Sequence, residues 1–320
     1  MTNAKKTIIT LALSLITLGL FATACTPAAA KPAETSATTA AITESSAVTT
    51  AAVETTAAAQ ETSAEPSDAA EEIYYTGEPV TLKVLADVTP HAELLNFIAP
   101  TLAKQGITIE IVSTAADSTW NEKTQNGEVD FNYFQHLPYL ESVNEENGTT
   151  LVSVGTIHVE PISAYSNFYE TVEEVPDNAK IVIPNDPTNE YRALKILEDA
   201  GFIKLDPTVN DTLKADITNI TEYVKPVVIT EIDSVQIIGL AADFDVYITN
   251  TNKALEAGID TTKYLFRENA DSPYGNIIVT TAERANDPAI LAVVKALQSE
   301  STLNYIAETY NGAVVPATQK

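Results

Sequence analysis

The strongest constraint on this chain is a gap in its bulky apolar residues. From Thr26 to Glu72 there is neither an aromatic residue nor a leucine, and 16 Ala, 10 Thr, 5 Ser and 7 Glu fill most of the 47 positions. Such a segment cannot bury enough apolar surface to offset the entropy of ordering it. Ala favours helix, but Thr, Ser and the prolines at 27, 32 and 66 work against a continuous one. The segment reads as a tether, with a root-mean-square span of about 40 Å if flexible. Folding is therefore expected only beyond it, which divides the chain into a leader over 1–24, a disordered tether over 25–79 and a folded domain over 80–320.

The leader has Lys5 and Lys6 at its head, an apolar run from Thr7 to Ala24 and small residues Ala22-Thr23-Ala24 just before Cys25. This is the pattern of a secretory signal. The alternative is an uncleaved membrane anchor, for which a run of about 18 residues is near the lower length limit. The small-residue exit onto the only cysteine of the chain matches a bacterial lipobox, in which Cys25 is acylated and becomes the N-terminus. Ala22 stands where that box usually has Leu, and Ala-Thr-Ala would equally suit the ordinary signal peptidase, which leaves Cys25 as a free thiol. The expectation is lipidation at Cys25, with palmitate-like acyl chains holding an extracytoplasmic protein to the bacterial cell membrane.

Composition removes several function classes. With 44 acidic against 18 basic side chains, the net charge is −26, and nucleic acid is disfavoured because phosphate neutralisation needs clustered Lys and Arg. A single Cys rules out an intramolecular disulfide framework. There is no phosphate loop, no dinucleotide fingerprint and no Gly-x-Ser-x-Gly elbow, so a cofactor-free, non-enzymatic role is expected.

From residue 80 the pattern alternates. Thr81 to Ala86, Ile107 to Ile111, Val129 to Phe134, Leu151 to Val159, Ile162 to Ser166, Lys180 to Pro184, Pro226 to Ile229, Phe244 to Thr249 and Gly275 to Thr280 read as strands. His91 to Gln105, Leu137 to Asn147, Thr188 to Ala200, Asp233 to Ala241, Thr251 to Ala257 and Pro288 to Tyr310 read as helices. This alternation predicts an α/β fold with largely parallel sheets, in two lobes with a site in the cleft between them.

Two stretches carry candidate chemistry. In Asp130-Phe-Asn-Tyr-Phe-Gln-His-Leu-Pro-Tyr139 a strand runs into a helix with Pro138 in its first turn, which places Phe134, His136 and Tyr139 around a strand's C-terminal edge. Aromatic rings beside a neutral imidazole make a mostly apolar wall suited to an uncharged side chain such as a thioether; the plainer reading is that they are core. In Ile181 to Arg192 a buried strand enters a polar turn and a helix, whose free N–H groups and one of only three arginines point toward the same edge. Arg192 could hold a carboxylate in a two-bond fork, or make a surface ion pair with Glu190 or Glu198. A metal site using His91, His136 and His158 is the competing idea, although their spacing matches no local ligand motif.

The chain resembles the methionine-binding lipoproteins of the MetQ/NlpA type, solute-binding components of methionine importers. The resemblance rests on Asn132-Tyr-Phe-Gln-His-Leu-Pro-Tyr-Leu140, Ser153-Val-Gly-Thr-Ile-His-Val-Glu-Pro161, Ile183-Pro-Asn-Asp-Pro-Thr-Asn-Glu190 with Arg192, Asp271-Ser-Pro-Tyr274 with Asn276, and Gly312-Ala-Val-Val-Pro316. It implies a two-lobed periplasmic-binding-protein-like fold of type II with two crossovers, near 161 and 251. Lobe 1 would take about 80–161 and 252–320, and lobe 2 about 162–251. It further implies a monomer that passes L-methionine to the permease and ATPase of an ABC importer. Arg192 would grip the carboxylate, Phe134, His136 and Tyr139 would enclose the side chain, and Asn250 would bond the head group, with Asn276 a further ligand-binding candidate. One departure stands out: where the family commonly has an aromatic followed by Pro-Asn, this chain has Asp117-Ser-Thr-Trp-Asn121. Asp117 falls on the pocket aromatic; either Trp120 supplies the ring from a slightly different place or the pocket is altered. The departure leaves a methionine-containing dipeptide or another uncharged amino acid as alternative ligands.

Overall fold

A computed structural model describes residues 72–269 and 273–317. The leader, Cys25 and the tether as far as residue 71 lie outside the described residues, as do Asp271 and Ser272. The tether ends sooner than expected. Gln105 Oε1 accepts from the N–H groups of Tyr74 and Tyr75 at 2.7 and 3.0 Å, and both rings pack against the first core, because an aromatic pair supplies the apolar area that the preceding segment lacks. No helix among the described residues is long and apolar enough to cross a membrane.

Two sheets organise the fold. The first has six strands in the order Val315–Pro316, Leu151–Val159, Gly275–Thr281, Phe131–His136, Val80–Ala86 and Ile107–Ser113. The second has five, in the order Phe266–Arg267, Ser163–Tyr165, Val246–Thr249, Ala179–Pro184 and Val227–Ile232. The expectation of largely parallel sheets is corrected: Gly275–Thr281 runs antiparallel to both of its neighbours, and Ser163–Tyr165 to both of its own. Only the βα-crossover strands are parallel, and strands returning from the other sheet need no such crossover.

Each sheet has its own core. In the first, Glu93–Lys104 turns Leu94, Leu95, Ile98 and Leu102 inward, each contributing about 1.5–3 kcal/mol of burial. Helix Pro288–Leu297 presses so closely on Leu151–Val159 that a Cβ at Gly155 would collide with Val294. In the second, Pro187–Asp199 buries Leu194, Ile196 and Leu197.

The chain passes from the first sheet to the second at Glu160 to Ile162. The second passage is displaced from 251. Helix Thr251–Glu256 lies at the junction, with Ala254 in the second lobe's packing and Leu255 against the first core. The strand Phe266–Arg267 still belongs to the second sheet and Tyr274 to the second core, whereas Gly275 opens a strand of the first sheet. Helix Trp120–Gln125 and the antiparallel pair Ile203–Leu205 with Ile220–Tyr223 are further elements not expected from periodicity. The single helix expected over 288–310 is two, because Ser299 caps a new start, accepting from the Thr302 N–H at 3.4 Å.

Candidate ligand-binding cleft

Two helix starts converge where the lobes meet. Strand Phe131–His136 runs directly into helix Leu137–Asn147, and strand Ala179–Pro184 reaches helix Pro187–Asp199 through Asn185 and Asp186. Both helices carry proline in the first turn and a side-chain cap: His136 Nδ1 accepts from the Tyr139 N–H at 3.2 Å, and Asp186 Oδ1 from the Asn189 N–H at 3.0 Å. Capping fixes the imidazole tautomer. With Nδ1 accepting, the proton of the neutral ring sits on Nε2, which faces Asn189 Oδ1 at 3.2 Å on the other lobe. Burial first, and the nearby Arg192 charge second, hold His136 down at about 3, so it stays neutral.

Asn189 Oδ1 is the focus of this corner. Besides His136 Nε2, Arg192 Nη1 donates to it at 3.1 Å and Asn250 Nδ2 at 2.9 Å. Three donors meet one amide oxygen that has two lone pairs, an excess of donors that a carboxylate with its two oxygens would relieve. Arg192 is only 2 % exposed. Its partner is neither Glu190 nor Glu198 but Glu268, to which Nε and Nη2 donate at 3.2 and 2.6 Å, while Nη2 also donates to the Glu160 carbonyl at 2.8 Å. The Tyr274 ring centre lies 4.5 Å from the guanidinium carbon. Glu198 pairs with Lys195, and the buried Glu190 carboxyl is pushed up to about 9, by desolvation first and then by Glu231 beside it.

The corner opens on a cavity of about 500 Å³. Phe134, His136 and Tyr139 line one wall, with the Tyr139 ring edge-on to the other two at 6.3 and 6.2 Å between centroids. Burial, then the carboxylates of Asp186, Glu146 and Asp233, push the Tyr139 phenol up to about 12, so the wall is uncharged. Arg192, Asn250 and Asn276 line the cavity too. Trp120 does not. It is fully buried behind Phe134, 5.1 Å away and edge to face, with Leu85 and Val129, because it opens the unexpected helix whose inner face packs on the sheet. Asp117 and Ser118 occupy the rim instead. Thr119 donates its N–H to Asp117 Oδ1 at 2.7 Å and its hydroxyl to the same oxygen, and Lys123 lies 3.5 Å from Oδ2; the Thr119 bonds chiefly hold this exposed carboxyl low.

The cavity floor belongs to a second buried polar group, in which Asp87, Glu160, Asn252, Lys253 and Asn276 line the cavity and His91, His158 and Tyr133 lie behind them. Asn276 sits between His136 and His158 in the sheet register, and its Oδ1 lies 3.1 Å from His91 Nε2. His158 is held by Tyr133 Oη at 2.6 Å and by Glu160 Oε1 at 2.7 Å; Glu160 Oε2 accepts from the Asn252 N–H at 3.2 Å. Asp87 Oδ2 accepts from Asn252 Nδ2 at 2.8 Å and lies 3.4 Å from Lys253 Nζ. Burial holds His91 down at about 4 and His158 at about 3, and burial raises Glu160 and Asp87. The histidine triad considered above is not assembled. Nitrogens of His91 and His158 and an oxygen of Glu160 fall within 4.8 Å of one another, whereas His136 faces Asn189 on the far side of Asn276.

Sequence reasoning missed Asn189 as the meeting point, although Asp186 three residues before it is a legible cap signal. It also missed Gln135 on the cavity wall, tied to Asn121 by paired amide bonds of 2.6 and 3.0 Å, and Glu268, which no local spacing connects to Arg192.

A family model described as NlpA lipoprotein matches residues 82–318. The membrane lipoprotein TpN32 of Treponema pallidum is 35% identical over 242 residues, covering 75% of this chain and 89% of that one. The methionine-binding lipoprotein MetQ of Bacillus subtilis is 31% identical, covering 74% and 88%. Among solved structures, a nutrient binding protein from Burkholderia cenocepacia bound to methionine aligns with a TM-score of 0.70 at 31% identity, covering 74% of this chain and 99% of that one. A periplasmic substrate-binding protein of an ABC transporter from Coxiella burnetii aligns at 0.69 and 32%, covering 74% and 100%.

Proposed function

The chain belongs to the NlpA lipoprotein family, and from that premise we propose that it captures an L-amino acid, foremost methionine, and delivers it to the permease and ATPase of an ABC importer while held to the membrane through Cys25. The observation that carries this reading is the convergence of Arg192 Nη1, Asn250 Nδ2 and His136 Nε2 on one oxygen inside a cavity whose other wall is Phe134 and Tyr139. A methionine carboxylate would take the place of that oxygen's role, and its thioether would lie against the rings, where sulfur gains about 0.3–1.5 kcal/mol per aromatic contact. Each lobe supplies part of the grip: His136 comes from the first sheet, Asn189, Arg192 and Asn250 from the second. A ligand bridging them stabilises the closed arrangement by its differential affinity for it. Neutral His136 and Tyr139 leave charge selection to Arg192.

The methionine-bound relative and the methionine-binding relative support the ligand class. Calorimetric titration of the purified whole chain tests it: saturable one-to-one binding of L-methionine is expected. A protein that binds none of the amino acids would overturn it, and tighter binding of a methionine-containing dipeptide would move the ligand to that class.

A further inference from the structure

We propose that Glu268 is a positioning residue of the ligand site, which fixes the Arg192 guanidinium so that only its Nη1 edge is offered to the head group. This rests on the reading of Arg192 as the carboxylate grip. A guanidinium has five N–H donors in a planar fork, and an unrestrained one can turn any of three edges toward an anion. Here Nε and Nη2 form the fork onto the Glu268 carboxylate at 3.2 and 2.6 Å, and the Glu160 carbonyl takes a further Nη2 bond at 2.8 Å. The Tyr274 ring covers one face of the plane at 4.5 Å. What remains is Nη1, already directed at Asn189 Oδ1 at 3.1 Å beside the cavity.

Glu268 is itself well held. Its N–H donates to the Ile162 carbonyl at 2.9 Å, and its Oε2 lies 3.4 Å from the Ile162 N–H, so the clamp is attached to the first interlobe passage rather than to a mobile surface arm. The carboxylate is 12 % exposed at the side chain, enough of a barrier to water for the fork to be worth more than a surface ion pair. The pair also makes the corner close to neutral before a ligand arrives. Selectivity for a carboxylate then depends on where Nη1 points rather than on a bare positive charge.

Glu268→Gln keeps the size of the side chain but sets an amide N–H₂ against one guanidinium donor, which frees the plane to turn. The test titrates wild type and Glu268→Gln with each amino acid that binds and with its carboxamide, which lacks the anionic end. The expected result is a loss of about tenfold or more for the amino acid against less than about threefold for the amide, so that the ratio between them collapses. Equal losses for both, or an unchanged ratio, overturn the proposal and leave Glu268 a structural residue. If wild type binds no amino acid, the ligand reading itself has failed, and that shows in the first titration before any variant is made. Should Glu268→Gln fail to fold, the Arg192 Nε–H resonance of the ¹⁵N-labelled wild-type chain decides. It should exchange slowly with solvent and stay in place when ligand is added; fast exchange, or a large ligand-induced shift at Nε, would sink the clamp.

Discussion

Two buried polar groups lie either side of Asn276 and solve the same problem differently. Around His158 most hydrogen-bonding contacts are met locally: Tyr133 and Glu160 bond His158 and Asn252 bonds Glu160, while His91 Nδ1 and Asp87 Oδ1 have no partner among the described residues, and the two histidines are kept neutral by burial. Around Asn189 the donors outnumber the acceptors, and they come from both lobes. The comparison teaches that burial of polar groups does not by itself mark a binding site. An excess of donors on one acceptor does, because a largely satisfied network gains little from a ligand while an oversupplied one gains an acceptor.

Arg192→Ala should break the comparison most strongly. It strands Glu268 and Asn189 together, costing about 3–5 kcal/mol of stability for a broken buried pair and lowering methionine affinity by about a hundredfold or more, since charge-assisted bonds are worth about 1.5–3 kcal/mol each. Urea unfolding and calorimetry read the two effects. His158→Ala should cost about 2–4 kcal/mol by the same unfolding measurement, by leaving Glu160 and Tyr133 each short of a partner, yet change ligand affinity by less than about threefold. A larger affinity loss would merge the two groups into one.

Acidity separates them further. The folded values of His91 and His158, about 4 and about 3, lie below the unfolded value of 6.5. The unfolded chain therefore takes up protons first, and stability from these groups is complete above pH 6.5 and lost as pH falls toward 4 and then 3. The raised Glu160 offsets part of this loss, since the folded state takes up a proton there earlier. Melting temperature measured from pH 7 to 4 should fall, and fall less in His158→Ala, whereas methionine affinity should stay level down to about pH 5 because His136 does not titrate there. The smallest effect is expected at the rim: Asp117→Asn should shift stability by less than about 1 kcal/mol, because only Thr119 and Lys123 hold that exposed carboxylate. An affinity change above threefold in this variant would bring Asp117 into the site.

The strand ending at His136, the helix with Pro138, and the turn from Pro184 to Arg192 were all legible, because alternation, proline and a capping Asp act over a few residues. So were Phe134, His136, Tyr139 and Arg192 at the edge that the cavity uses, whereas Asn250 and Asn276 came only from the family resemblance. The antiparallel pairing of Gly275–Thr281 was not, since register between strands over a hundred residues apart leaves no local trace. Trp120 was misplaced for a related reason: its spacing fits a pocket ring or a core ring equally well, and only the packing against Leu85 and Val129 decides.

By itself the sequence determined most of the elements formed from residue 80 onward and the residue types that gather at two helix starts, all consequences of local composition and periodicity. Tertiary structure alone decided the partners. Glu268 reaches Arg192 across 76 positions, Asn189 meets donors from two lobes, and Glu160, on the cavity wall, bonds His158 behind it, because such contacts depend on which strands come to lie side by side.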